Sequence, residues 1–310
     1  MPIDPRIKFR HLHTFLEVAR QKSVIRAAEN LHVSQPAVTK TVRELEEVLG
    51  IDLFERDGRG IRLTRYGEVF LRHAGATVTA LRQAVDSVSR EVANAAPPLR
   101  IGALPTVSAR IMPSAMQTFL REETGSLIKI VTGDNAVLLE QLRLGDLDLV
   151  VGRLAAPEKM VGFSFEHLYS ERVVFAVRAG HPILGRPGPI FEHLAHFPVL
   201  MPTRTSIIRP VVEQYLIANG VASLPVQIET VSDSFGRAFV RGTDAVWVIS
   251  EGVVAGDIQE GALATLPLDM SGTSGPVGLT MRADVLPSLP LTLLMQAIRN
   301  AAQASTIPGR

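Results

Sequence analysis

A chain of 310 residues, 46% of them hydrophobic, has room for two or three compact domains with sizeable cores. It contains no Cys, which excludes disulfides, thiolate nucleophiles and thiolate metal sites and is compatible with a reducing compartment. The formal net charge of +1 divides unevenly: residues 1–90 hold 15 Lys and Arg against 11 Asp and Glu, and residues 91–310 hold 17 against 20. A basic N-terminal part suits attraction to phosphate, although an excess of this size does not establish it.

The opening "MPIDPRIKFRHLHTF" has no apolar core of a secretion signal, and no apolar run is long enough to span a bilayer, so a cytoplasmic chain without membrane contact is expected. The segment "HLHTFLEVARQ" places Leu12, Phe15, Leu16 and Ala19 on one helical face. A short helix follows with Val24, Ala27, Ala28 and Leu31 inward, and a longer one with Val38, Val42, Leu45 and Leu49 inward. Ser23 and Ser34 stand where their hydroxyls can accept from free N–H groups of the first turns, and Pro36 is tolerated in the second of these. Only "HVS" is left for the turn, so the two helices cross steeply, as in a helix-turn-helix. The longer helix then turns Gln35, Thr39, Lys40 and Arg43 outward. Such a face is ordinarily only a solvated one; amide, hydroxyl and cation together are also the groups that read base edges and hold phosphates.

Beyond it, "LFERDGRGIRLTRYGEVF" carries Arg56, Arg59, Arg62 and Arg65 at three-residue spacing through a turn with Gly58 and Gly60. This reads as a two-stranded hairpin with a basic tip, a wing beside the recognition helix. From Phe9 to Ala74, through "FLEVARQKSVIRAAENLHVSQPAVTKTVRELEEVLGIDLFER" and "GIRLTRYGEVFL", the chain resembles the LysR-type transcriptional regulators. The resemblance implies contacts to double-stranded DNA by Ser34, Gln35, Pro36, Ala37, Thr39, Lys40, Arg43, Arg56, Arg59 and Thr64. It also implies an α/β protein overall: a winged helix-turn-helix over 1–65, a linker helix over 66–96, and a bilobed effector domain of periplasmic-binding-protein type over 97–310. Its first lobe would span 97–161 and 269–310, and its second 162–268.

Thr64 can cap a helix running from Arg65 toward Ala93, along which Phe70, Ala74, Val78, Leu81, Val85, Val88 and Val92 recur at three- and four-residue steps. So narrow a seam either packs within its own domain or pairs with a second copy. In LysR-type regulators this helix joins two subunits, which implies dimerisation through Phe70, Val78, Leu81, Val85 and Val88 and pairing of dimers to a homotetramer. The seam ends at the linker "NAAPPLR".

After Leu99, short apolar runs alternate with helical ones. The runs "LRIGAL", "LIKIVT", "DLVVG", "VVFAV", "FPVLM", "VQIET", "AVWVI" and "VGLTM" predict strands of a largely parallel sheet, with ligands beyond the strands' carboxyl ends. One device recurs: Pro105-Thr106 is followed eight residues on by Pro113, and Pro202-Thr203 eight residues on by Pro210. Two lobes that each aim a strand-to-helix loop at a shared cleft would use it so; Pro-Thr is also common turn chemistry. The resemblance places the effector between the lobes, at Thr106, Ser108, Thr132, Thr203, Arg204 and Phe235.

No catalytic or nucleotide-binding signature is present, and His193 with His196 in "EHLAH" lacks a separated third ligand, so neither an enzyme, a cofactor nor a metal is expected. A solute-binding protein would share the α/β half but has no use for a winged helix. Within the family, "IDPRIKFRHLHTFLEVARQKSVIRAAE", "RYGEVFLRHAGATVTALRQAVDSVS" and "GDNAVLLEQLRLGDLDLVVGRLAAPEKM" resemble the branch that activates protocatechuate breakdown, the β-ketoadipate pathway. That resemblance implies a small carboxylated inducer, with RNA polymerase as a further partner of the activator. A neighbouring branch that opens similarly and responds to sugars is the alternative.

Overall fold

The computed structural model describes residues 4–58, 60–93, 98–221 and 223–306, with the backbone alone for 82, 83, 86–93 and 306, and divides into two compact units. The N-terminal unit opens with α1 (Phe9–Gln21), α2 (Val24–Leu31) and α3 (Gln35–Leu49). The Ser23 hydroxyl accepts from the Arg26 N–H and that of Ser34 from the Ala37 N–H, so both expected caps form. His32, in the left-handed conformation at φ 54°, ends α2 and turns the chain within three residues into α3. Phe15, Leu16, Ala19, Leu45 and Leu53 fill one side of the core and Val18, Ala27, Ala28 and Val38 the other. The buried Glu17 carboxylate accepts from the Gln21 amide at 2.8 Å, from Asn30 at 2.9 Å and from Arg20 at 2.9 Å, tying α1 to α2. Burial opposes its charged form; the two amides and Arg20 outweigh that and hold Glu17 below the usual carboxylate range.

The wing is an antiparallel pair, β1 (Phe54–Asp57) and β2 (Gly60–Leu63). Glu46 near the end of α3 accepts from the Leu53 N–H at 2.7 Å and the Phe54 N–H at 3.2 Å, which fixes the wing against the helix. The long helix α4 (Arg65–Ala93) follows at once.

The second unit holds two five-stranded sheets. The first has the order β4-β3-β5-β12-β6, from β3 (Leu99–Ala103), β4 (Ile128–Thr132), β5 (Leu149–Arg153), β6 (Phe163–Glu171) and β12 (Gly275–Arg282). The second has the order β11-β7-β10-β8-β9, from β7 (Val173–Arg178), β8 (Val199–Met201), β9 (Gln227–Glu229), β10 (Val246–Ser250) and β11 (Leu263–Thr265). Its helices are α5 (Pro105–Arg110), α6 (Met112–Leu120), the first half of α7 (Asn135–Leu144), whose residues from Glu140 on fall in the N-terminal unit, α8 (Ile190–Leu194), α9 (Arg209–Ala218), α10 (Asp233–Gly242), α11 (Glu251–Gln259) and α12 (Leu289–Thr306).

Two expectations are corrected here. The sheets are mixed: β12 runs antiparallel to β5 and β6, and β7 antiparallel to β10 and β11. The first lobe also extends ten residues further than expected, because Phe163–Glu171 pairs with β12 and belongs to the first sheet. The chain therefore crosses between lobes at Arg172, not near residue 162, and crosses back between Thr265 and Gly275. Register at the β6–β12 seam shifts between Val277 and Gly278, where a Cβ would collide with the Glu166 carbonyl oxygen.

Candidate DNA interface and effector cleft

On α3, Gln35, Pro36, Ala37, Lys40 and Arg43 are exposed and Thr39 is half-buried, so the predicted reading face is presented to solvent. Thr39 and Gln35 are coupled: the Thr39 hydroxyl donates to the Gln35 carbonyl at 3.1 Å, and the Gln35 amide donates to that hydroxyl at 3.4 Å. Arg56 is exposed on β1, whereas Arg62 is held by Glu55 at 3.0 Å. Arg59 lies outside the described residues. The Thr64 hydroxyl donates to the Asp52 carbonyl at 2.7 Å and accepts from the Gly67 N–H at 3.1 Å, so it caps α4 and is not free to reach phosphate.

The seam on α4 divides in two. Phe70 meets Phe15 edge-on with ring centroids 5.0 Å apart, and Val78 packs against the same core, so both are half-buried within their own chain. Leu81 is 45% exposed and Val85 56% exposed, one turn apart on the helix. The side chain of Val88 lies outside the described residues.

In the second unit a cleft opens between the two lobes. Its floor is apolar, from Leu104, Ile207, Ile208, Val231, Trp247 and Ile249; its polar groups are Asp134, Asn135, Thr203, Ser206, Thr230, Ser232 and Asp233. The first residues of α7 and α10 thus line it; at α10 the Ser234 and Phe235 N–H groups are already taken by Asp233 and Ser232. Gly236 makes room for the floor, since a Cβ there would stand 2.5 Å from the Trp247 ring. No Lys, Arg or His is among the lining residues.

Of the six expected effector residues only Thr203 lines this cleft. Thr106 is buried and donates its hydroxyl to Glu171. The Ser108 hydroxyl turns back to the Ala103 carbonyl at 3.4 Å. Thr132 is exposed at the end of β4 and outside the lining. The Arg204 side chain is 87% exposed and stands 4.0 Å from Glu229. The buried cation nearby is Arg209, the first residue of α9, which donates to the Pro202 carbonyl at 2.7 Å and pairs with Glu213 at 2.6 Å and Glu229 at 3.0 Å. Phe235 is 44% exposed and stacks on Phe239. Sequence reasoning missed Asp134, Thr230, Ser232, Asp233 and Trp247; the strings "GDN" and "SDS", each at the start of a helix, were the available signal.

Comparison with known proteins decides the family. Residues 9–68 match the model for the bacterial regulatory helix-turn-helix protein, lysR family, and residues 93–303 match the LysR substrate binding domain. The chain belongs to the LysR family. It is therefore a transcriptional regulator and not an enzyme. It is 75% identical over 300 residues to the HTH-type transcriptional regulator PcaQ of Agrobacterium fabrum, covering 97% of this chain and 96% of that one. It is 29% identical to GbpR of Azospirillum brasilense over 97% of this chain and 88% of that one. The fold is shared with full-length LysG of Corynebacterium glutamicum with bound effector arginine, at a TM-score of 0.63 and 20% identity, covering 96% of this chain and 99% of that one.

In this LysR effector domain the two crossovers are stitched together. Arg153 donates to the Glu171 carbonyl at 2.9 Å and to the Thr273 carbonyl at 2.5 Å, and the Thr273 hydroxyl accepts from the Val173 N–H at 3.0 Å. Glu171, fully buried at the first crossover, accepts from Thr106 of α5 and from the Gly252 N–H of α11 at 2.9 Å, with Arg110 3.6 Å away. One carboxylate so joins a helix of each lobe. Burial pushes its pKa up, opposed by the Thr106 hydroxyl, Arg110, the Gly252 N–H and Arg153. A raised carboxyl pKa means the folded chain holds this proton where the unfolded chain has lost it. The group's contribution is full below its ordinary value of 4.5 and is lost as pH rises through the folded value. Glu171→Gln should therefore gain stability relative to the parent as pH rises above 4.5. Urea unfolding followed by the fluorescence of the single tryptophan, Trp247, checks this; a constant difference across that range would contradict it.

Proposed function

We propose that this chain is the activator of an aromatic-acid catabolic operon, that of protocatechuate breakdown through the β-ketoadipate pathway, and that it responds to a small carboxylated inducer. The observation that carries the reading is the 75% identity to PcaQ over 97% of the chain, against 29% to GbpR. It agrees with the similarity of the opening, linker and 133–160 segments to the protocatechuate-activating branch. The acting species is a cytoplasmic homodimer that pairs to a tetramer and places two recognition helices in successive major grooves. Gln35 and Thr39 read base edges, Lys40 and Arg43 lie beside them, and Arg56 of the wing holds phosphate. The exposed pair Leu81 and Val85 supplies the subunit contact on α4.

The cleft supports a carboxylate through donors and not through a cation. The hydroxyls of Thr203, Ser206, Thr230 and Ser232 and the N-terminus of α7 are available to an anion, while Trp247, Ile249 and Ile207 offer an apolar wall to a planar carbon skeleton. Switching follows from different inducer affinity for two lobe arrangements, since a ligand shifts an equilibrium only by that difference. Thermal-shift titration of the full chain with protocatechuate, a carboxymuconate and hexoses side by side tests the reading. Stabilisation by one or more acids and none by hexoses is expected. Stabilisation by a hexose alone would move the chain to the sugar-responsive branch and end the carboxylate reading.

A further inference from the structure

A hydrogen bond crosses the cleft. The hydroxyl of Thr205, on the loop after β8, donates to Oδ2 of Asp134, the residue before α7, at 2.7 Å. The Thr203 hydroxyl lies 3.2 Å from that of Thr205, so a chain of two second-lobe hydroxyls ends on a first-lobe carboxylate. Both Asp134 and Thr203 line the cleft, where no lining residue is a cation. The other carboxylate of the cleft, Asp233, accepts from the Ser234 N–H at 3.0 Å within its own turn and spans nothing. Asp134 thus sits where an incoming anion finds its best donors: at the N-terminus of a ten-residue helix and on the Thr205 hydroxyl.

We infer that the Asp134 carboxylate is an internal occupant of the inducer's anion position, a built-in competitor that bridges the lobes through Thr205 until the inducer carboxylate replaces it. The inference rests on the carboxylate reading above. Two like charges cannot share one set of donors in a partly dry cleft without repulsion, so the inducer must displace Asp134 to bind. Displacement exchanges a bridge made by the protein for one made by the ligand, and the connection between lobes changes with occupancy. Asp134 consequently sets the inducer concentration at which the regulator responds.

Calorimetric titration of the full chain with protocatechuate and with a carboxymuconate, at low and high salt, tests this on the parent, Asp134→Asn and Thr205→Val. Asn caps a helix as well as Asp does, so the first variant keeps the fold of α7. Asp134→Asn should bind the acid at least tenfold tighter than the parent, with the gap narrowing at high salt because the lost repulsion is screened. Thr205→Val, which keeps the charge and loses the donor, should bind more weakly than the parent. If Asp134→Asn binds the acid equally or less well, the competitor role is refuted while the carboxylate reading stands. If neither the parent nor Asp134→Asn binds either acid and both retain DNA binding, the carboxylate reading falls and this inference with it.

Discussion

Leu81→Glu with Val85→Glu should convert the assembled regulator to single chains and lower operator affinity by roughly 100- to 10,000-fold, the range over which linked binding exceeds a single contact. Both side chains are about half exposed in the isolated chain, so the substitutions leave the subunit's own packing intact. In the proposed assembly they become buried, and there each unpaired carboxylate costs several kcal/mol. A single winged helix contacts one half-site, so loss of pairing reaches DNA binding without touching α3. Light scattering checks the mass and fluorescence anisotropy the affinity. Unchanged mass would show that the seam of α4 does not hold subunits together. Phe70→Ala should behave differently: it removes the edge-on partner of Phe15 and destabilises the winged helix itself, with no direct effect on subunit contact.

The winged helix was legible because its determinants are local. Ser23 and Ser34 cap, His32 ends α2, and a period of three and four residues names the inward faces; neighbours along the chain suffice to read all of this. The helix α4 was legible for the same reason, but its partners were not. Phe70 and Leu81 carry the same periodic signal, and only the position of Phe15 in space separates the core-facing part of the seam from the exposed part. The strand β6 escaped because "FSFEHLYSE" mixes aromatic residues with Glu166, His167 and Glu171. Glu171 is an inward-facing carboxylate sustained by partners 65 and 81 residues away, and no apolar alternation can announce it. That omission moved the expected lobe boundary.

The cleft was the least legible part. Its lining comes from separate stretches around residues 104, 134, 206, 231 and 248, each a turn or strand end with ordinary turn chemistry by itself. The repeated Pro-Thr device marked the right loops, yet Thr106 serves the hinge carboxylate and Thr203 the cleft. Arg204 lies on the loop and Arg209 opens α9 five residues on, and burial, which decides which of them is structural, depends on Glu229 and the Pro202 carbonyl.

The second large effect concerns the reading face. Gln35 is exposed at the start of α3 with its side chain steadied by Thr39, a placement that lets an amide meet two groups of one base edge. Losing such a contact removes about 1–3 kcal/mol of discrimination at one base pair. Arg56 is exposed on the wing, and in the proposed complex it holds a phosphate, a contact that is the same for every sequence. Losing it weakens all DNA alike and reduces by about one the number of counterions released on binding. One residue therefore carries sequence information and the other carries charge, and the two losses have different signatures.

The most direct measurement is anisotropy of a labelled operator duplex, selected from random sequence by the parent chain, titrated with the parent, Gln35→Ala and Arg56→Ala across a salt series. Single-base variants of the duplex are measured in parallel. If α3 is the recognition helix of a winged helix-turn-helix, Gln35→Ala loses discrimination at one base pair while keeping the parent's salt slope. Arg56→Ala keeps discrimination and flattens the slope by about one. Equal losses of discrimination in both variants, or parent-like behaviour of Gln35→Ala at every base pair, would contradict the assignment of α3 as the element that reads DNA.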